Sequence, residues 1–289
     1  MKSFNIPWKA KAFLFWLISA FKVAWIIPYL SKYITKRSTL SINKEILNDI
    51  DFHRKNIQSN SSLKVLEIGA GKSIFQNIML SRDDLYQMVI DRDILIDYDL
   101  VNNSIEKKSK SNSLDFPKVC SRDELLSGYN IDYRAPFSLA NLEKLSVKFD
   151  CFISTNTFEH IPRVQIIDYM GIMKTVLKDD AYLSIIIDYS DHYSHTDKNI
   201  SKINFLKFSN KTFERFFNTT AHYQNRLRHE DYKSIFTNSG FEIIFDQAKY
   251  SAEPPKQVLS IKRQRHDLDF FTKGYFLLKN SRLKIKQDV

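Results

Sequence analysis

The chain has 289 residues, of which 43% are hydrophobic and 26% charged, with only six glycines and seven prolines. That length suits one α/β core with extensions, and that balance excludes collagen-like, low-complexity and disordered chains. The net charge of +10 sits at the two ends: residues 1–60 hold ten Lys/Arg against three Asp/Glu and residues 256–289 hold nine against three, while the middle is slightly acidic. Such ends suit an anionic surface nearby, a membrane leaflet or a phosphate-bearing substrate, and simple solubility accounts for them equally.

Residues 1–60 read as a basic, aromatic helical extension ahead of a domain over residues 61–289. From Ala12 to Leu30 the apolar run approaches the length of a membrane span, but Lys22 and Pro28 interrupt it. Trp8, Trp16 and Trp25 along it, with lysines before and after, fit a helix that lies in a bilayer interface or packs on the protein's own core. A signal peptide fits less well, since no small-x-small cleavage site follows. The expectation is a cytoplasmic protein, with peripheral membrane contact through residues 1–37 as one of the two readings of this segment.

Beyond residue 60, short apolar runs alternate with helical stretches, the order of a doubly wound, mainly parallel sheet. Strands are expected at Leu63–Ile68, Tyr86–Ile90, Asn130–Tyr133, Phe149–Ser154 and Tyr182–Ile187, and Phe241–Phe245 and Tyr275–Lys279 can complete seven. Helices are expected at Ile74–Ser81, Val164–Leu177 and Glu230–Asn238, the last stopped by Gly240. The polar stretch Asn102–Ser113 reads as a surface loop. Cys120 and Cys151 have no metal-ligand spacing, and Cys151 sits inside an apolar strand, where a buried, reduced thiol is expected.

The first strand runs into Glu67-Ile68-Gly69-Ala70-Gly71-Lys72-Ser73. Glycines at a strand-to-helix turn let the backbone approach a ligand closely, which points to a nucleotide-like cofactor. A phosphate-binding P-loop would need a glycine where Leu66 stands, inside the strand. A dinucleotide fingerprint would need a third glycine where Ile74 stands. What remains, an acid followed by Gly-x-Gly, resembles the first motif of class I S-adenosylmethionine-dependent methyltransferases. Two further stretches strengthen the resemblance. The second strand ends in Val89-Ile90-Asp91, and the fourth continues as Ser154-Thr155-Asn156-Thr157-Phe158-Glu159-His160-Ile161-Pro162, like the family's fourth motif. The family's Leu-Lys-Pro-Gly-Gly turn before the fifth strand is replaced here by Leu177-Lys178-Asp179-Asp180-Ala181.

The resemblance covers residues 60–190 well and implies a Rossmann-like, seven-stranded α/β fold with S-adenosylmethionine as cofactor. It places Glu67, Gly69, Ala70 and Gly71 in the cofactor loop and Asp91, with Asp93 as the alternative, on the ribose hydroxyls. Arg92 and Asn156 join them beside the cofactor. Methyl transfer is an in-line displacement that needs alignment and exclusion of water, and a hydroxyl acceptor also needs a base. His160 follows the fourth strand, and Asp191, His192 and His195 follow the fifth, so these four are the catalytic candidates. The spacing Asp191-His192-x-x-His195-x-Asp197 can also hold a divalent metal, but surface polarity explains it too and no metal is assigned. Arg226 or Arg228 can bind an acidic acceptor, and the aromatics of residues 203–217 can form a lid or core.

The acceptor is expected to be a small molecule, a glycan or a lipid. Nucleic acid is disfavoured, because no RNA-binding module is present and Ser154-Thr155-Asn156-Thr157 stands where amino-group base methylases carry an Asn-Pro-Pro-Tyr type of signature. An RNA methyltransferase, which the basic ends favour, and a non-catalytic partner subunit with the same fold are the two alternatives.

Overall fold

In the computed structural model of the protein, residues 6–23, 42–57, 62–250 and 270–281 are described. The apolar runs become seven strands: β1 Leu63–Ile68, β2 Leu85–Ile90, β3 Ile131–Arg134, β4 Phe149–Thr155, β5 Leu177–Asp188, β6 Glu242–Tyr250 and β7 Phe271–Lys279. They join in one sheet in the order β3-β2-β1-β4-β5-β7-β6. The first five in that order are parallel, and β7 runs antiparallel to both neighbours. This is the Rossmann-like seven-stranded sheet that the strand alternation and the glycine turn imply.

Alternation along each strand feeds two cores. Leu66, Phe152, Leu183 and Ile185 bury one face with Ile166, Met170 and Met173 of one helix and Tyr232 and Phe236 of another. Those helices are Arg163–Val176 and His229–Asn238. Val65, Cys151 and Ile153 bury the other face against Ile50 and Phe75. Ile50 belongs to helix Lys44–Asn56, so the last part of the expected extension packs on the sheet. Its buried Asp49 accepts from Lys273 Nζ at 2.5 Å and from Tyr275 Oη at 2.9 Å, both on β7. Fully buried His53 on the same helix lies 2.8 Å from both Ser184 Oγ and Thr155 Oγ1, and burial lowers its pKa to about 3.

Four expectations need correction or a different account. Residues 102–113 are not a loop: Tyr98–Asn112 is a helix, with the Asp97 carboxylate accepting from the amides of Asp99 and Leu100 at its start. Its inward positions Leu100, Val101, Ser104, Ile105 and Lys108 follow helical spacing, but two of them are polar. Lys108 is buried because its ammonium donates to the carbonyls of Ile78 and Ser81 at the end of helix Phe75–Leu80. β5 begins at Leu177 rather than Tyr182, and Asp180 takes φ +67 where the family's turn carries glycine. Arg228 is buried, donating to the carbonyls of Tyr189 and Phe271, and Arg226 donates to those of Phe205 and Phe208. Both guanidinium groups thus brace the fold. The aromatics of residues 203–217 form a core rather than a lid: Phe205, Phe213 and Phe217 pack with Tyr193, Ala12, Trp8 and Phe15.

The last three of those residues lie on helix Trp8–Ala20. Its backbone and side chains hold two loops. The Trp8 amide donates to Asp197, Lys11 Nζ to Thr196 Oγ1, and Ser19 Oγ contacts Thr220 and the amide of Ala221. The opposite face leaves Phe13, Leu14, Trp16 and Phe21 exposed. Among the described residues no helix is long and apolar enough to cross a membrane. The remainder of the expected Ala12–Leu30 segment, residues 24–30, lies outside the described residues.

Candidate active site

Strand order reverses between β1 and β4, and open α/β sheets bind ligands at the carboxyl ends of strands at such a point. A cavity of about 950 Å3 opens there. Gly69 and Gly71 from the turn after β1, Asp91 after β2, Asn156 and Thr157 after β4, and His160 all line it.

The turn needs both glycines for different reasons. Gly69 has φ +80, and a Cβ on it would lie 2.5 Å from Thr157 Cγ2 and Oγ1, so the backbone can close on Thr157 only without a side chain. Gly71 has φ +73 with nothing within 4 Å of an added Cβ, so its backbone faces open space where a ligand fits. Ile74 then adopts φ +38 ahead of helix Phe75–Leu80 and packs, fully buried, where a dinucleotide fold would place glycine. Beneath the turn, buried Glu67 accepts from Gln76 Nε2 at 3.1 Å and Asn77 Nδ2 at 2.5 Å, fixing the start of that helix to the strand. Burial pushes its carboxyl up to about 8 in spite of those donors, and the nearby Asp91 carboxylate adds to the effect. Ala70 is partly buried in the turn, against the Val89 and Val101 cluster.

Asp91 is 4% exposed, and its Oδ2 has no hydrogen-bond partner among the described residues. Burial raises its pKa to about 6, Asp93 adds repulsion, and the Tyr133 hydroxyl and Gly71 amide partly offset both. A buried carboxylate oxygen without a partner is costly unless a ligand completes it. Arg92 lines the cavity mouth, but its side chain is turned to solvent and paired with Asp93 at 2.8 Å. Asn156 adopts φ +50 and is tied through its amide to the Ile186 carbonyl, which holds the backbone of the β4 loop at the cavity.

A histidine cluster adjoins one end, and two of its members, His160 and His222, line the cavity. His160 Nδ1 lies 3.0 Å from the Tyr223 carbonyl, and since a carbonyl only accepts, Nδ1 carries a proton. The rings of His160 and His192 are 4.7 Å apart, those of His192 and His195 5.0 Å, and those of His192 and His222 6.1 Å. Burial and the neighbouring histidines hold His192 neutral, with its pKa lowered to about 2. His195 is half exposed and places Nε2 3.0 Å from Ser190 Oγ and 3.5 Å from Asp188 Oδ2.

Asp191 is not part of this cluster's chemistry. Its carboxylate accepts from the Tyr193 amide and Asn204 Nδ2, capping the turn that carries His192–His195. Asp197 likewise accepts from the amides of Trp8 and Asn199. The metal spacing of the sequence therefore does not converge as a set. Three participants escape sequence reasoning: Glu159 stands in the stretch after the fourth strand with nothing to mark it as buried, His222 arrives from a distant loop, and Tyr133 lies on the third strand. Only the Glu-His dipeptide after β4 could have signalled the first.

A family model described as a methyltransferase domain matches residues 41–244. No curated protein sequence matches the chain. Among solved structures, the cyclopropane synthase from Mycobacterium tuberculosis is similar at 14% identity and a TM-score of 0.48, over 84% of this chain and 87% of that one. Magnesium protoporphyrin IX methyltransferase from Synechocystis with bound SAH is similar at 13% identity and a TM-score of 0.45, over 89% and 99%. An S-adenosylmethionine-dependent methyltransferase from Methanosarcina mazei is similar at 15% identity and a TM-score of 0.43, over 84% and 99%.

Proposed function

The chain belongs to the methyltransferase-domain family as an S-adenosylmethionine-dependent enzyme, and from that premise we propose that it methylates a hydroxyl oxygen of a small-molecule, glycan or lipid acceptor. The observation that carries this reading is the pairing of two features in one cavity: an orphan carboxylate oxygen on Asp91 and, at the other end, the imidazole cluster led by His160. The cofactor supplies an electrophilic methyl carbon on a sulfonium.

Asp91 accepts hydrogen bonds from the ribose hydroxyls, which completes its unpartnered oxygen. The backbone at Gly69 and Gly71 accommodates the rest of the cofactor, while Glu67 keeps the turn rigid from below. Asn156 fixes the floor between cofactor and acceptor. The histidine cluster receives the acceptor hydroxyl and its proton, because neutral imidazoles present lone pairs that lysine or arginine would not. The Tyr223 carbonyl accepts from His160 Nδ1 and so fixes the orientation of that ring within the cluster. A lipid or lipid-linked acceptor would also give a use to the exposed Phe13, Trp16 and Phe21 of the amino-terminal helix, beside Lys9 and Lys22, as a contact with a membrane surface.

Two measurements test the reading. Calorimetry with S-adenosylhomocysteine is expected to show binding to the wild type and loss of it in Asp91→Ala. Methyl transfer to a hydroxylated acceptor panel is expected to stop in His160→Gln while S-adenosylhomocysteine still binds. Turnover only on amines or thiols would defeat the oxygen assignment.

A further inference from the structure

We infer that Glu159, His160 and His192 form a binding site for one divalent transition-metal ion beside the cavity, which His160 lines. Each offers a ligand atom, and the three atoms lie within 4.8 Å of one another. An ion bound at about 2.0–2.2 Å by two imidazoles and a carboxylate holds those atoms roughly 3–4 Å apart, so a contraction of at most about 1–2 Å closes the set.

Three independent observations point to a cation rather than to three packed side chains. Glu159 is 2% exposed, and neither of its carboxylate oxygens has a hydrogen-bond partner among the described residues. A buried carboxyl whose two oxygens both lack a partner, beside a second acid, Asp188, is a costly arrangement that a bound cation relieves. His160 donates its Nδ1 proton to the Tyr223 carbonyl, the outer contact by which a ligating histidine is fixed with its other nitrogen aimed at the metal. His192 is 11% exposed and lies 3.7 Å from Asp188 Oδ2, so the second imidazole is also held beside a carboxylate.

The set is one of two imidazoles and one carboxylate, suited to Zn2+, Co2+ or Mn2+ rather than to the all-oxygen environment that Mg2+ or Ca2+ prefers. With three protein ligands, at least one position stays open, as in catalytic rather than structural sites. What the ion does there rests on the hydroxyl-acceptor reading above. The acceptor oxygen coordinates at the open position and loses its proton to His195, which stands beside Asp188. The oxygen lone pair then attacks the methyl carbon, the carbon–sulfur bond breaks, and its electron pair stays on sulfur as S-adenosylhomocysteine leaves. Metal binding itself does not depend on which acceptor is used.

The test uses the full chain, stripped with chelator and titrated with Co2+ followed by visible absorption, and with Zn2+ followed by calorimetry. One equivalent is expected to bind, with d–d bands that Zn2+ displaces. Since losing an outer partner alone weakens metal binding by about 10–100-fold, Glu159→Gln and His192→Asn should each weaken it by more than about 100-fold. S-adenosylhomocysteine affinity, measured on the same samples, should be unchanged and so shows that the variants are folded. A stripped wild type that takes up no metal overturns the inference without reference to any variant, as does equal metal affinity in wild type and folded variants. A metal-loaded enzyme that methylates only non-hydroxyl acceptors would instead refute the oxygen reading and leave the site standing.

Discussion

Replacing Asp91 with Asn is expected to make the ligand-free protein more stable and its cofactor complex weaker. In the unfolded chain an aspartate ionises near 3.9, whereas burial delays ionisation of Asp91 in the fold until about pH 6. Between those two values the folded state holds more protons than the unfolded one, so stability falls as pH rises through the window and stays lower above it. Two pH units correspond to about 3 kcal/mol, and water reaching the carboxylate through the cavity mouth reduces this to about 1–2 kcal/mol. The groups that face Asp91 are the Tyr133 hydroxyl, the Gly71 amide and the carboxylates of Asp93 and Glu67. An amide carries neither the burial cost of a charge nor the repulsion from Asp93, so Asp91→Asn should raise the melting temperature at pH 7.5 by about 2–4 °C. The gain should vanish near pH 4, where the native carboxyl is already neutral. In the same variant, S-adenosylhomocysteine loses a charge-assisted hydrogen bond of about 1.5–3 kcal/mol, a roughly ten- to hundredfold loss of affinity by calorimetry. A variant that melts lower at pH 7.5 and binds the ligand as well as wild type would show that Asp91 is a structural carboxylate and not the cofactor's anchor.

Other sites make separate predictions. Gly69→Ala should lose about 1–2 kcal/mol from the left-handed backbone alone, and more from the clash with Thr157. Adding Thr157→Ala should recover the clash, and strictly additive melting shifts in a double-mutant cycle would contradict the packing described. Lys273→Met leaves Asp49 buried and uncompensated, so urea denaturation should report a loss of about 3–5 kcal/mol, with much of it regained when Asp49→Asn is added. Trp8→Ala removes ring contacts to Tyr193, Phe208 and Phe217 and should cost about 1–3 kcal/mol. Methyl transfer should fall in that variant by more than S-adenosylhomocysteine affinity does, and equal losses would mean that the helix does not act through the histidine loops.

How far the sequence is legible depends on which physical pattern each element follows. Each expected strand overlaps an observed one, because burial imposes unbroken or alternating apolar runs on the strands from β1 to β5 and on β7, while the edge strand β6 is mostly exposed and is marked only by its short Ile243-Ile244-Phe245 run. Once the strand order is known, Gly69, Asp91, Asn156 and His160 must meet at the carboxyl edge, and they do. The helix at Tyr98–Asn112 escapes because its inward face includes Ser104 and Lys108, whose burial is made possible by carbonyls from another helix that no local window contains. Asp191 misleads for the opposite reason. Its neighbours suggest chemistry, but its carboxylate is consumed by the amide of Tyr193 and by Asn204, a partner thirteen residues away. Arg226 and Arg228 look like acceptor-binding groups until the carbonyls they fill are seen. Glu159 is the reverse case, a motif residue whose lack of partners only a packed structure can reveal.

The family match begins at residue 41, downstream of the helix at Trp8–Ala20, yet that helix grips the segments bearing His192, His195 and His222. A truncation trimmed to the matched region should therefore keep the glycine turn and Asp91 in place and lose the shape of the histidine end. Such a fragment should show little turnover on any substrate even where it still binds S-adenosylhomocysteine. The Trp8–Ala20 helix therefore belongs in any sample used to search for what the enzyme methylates.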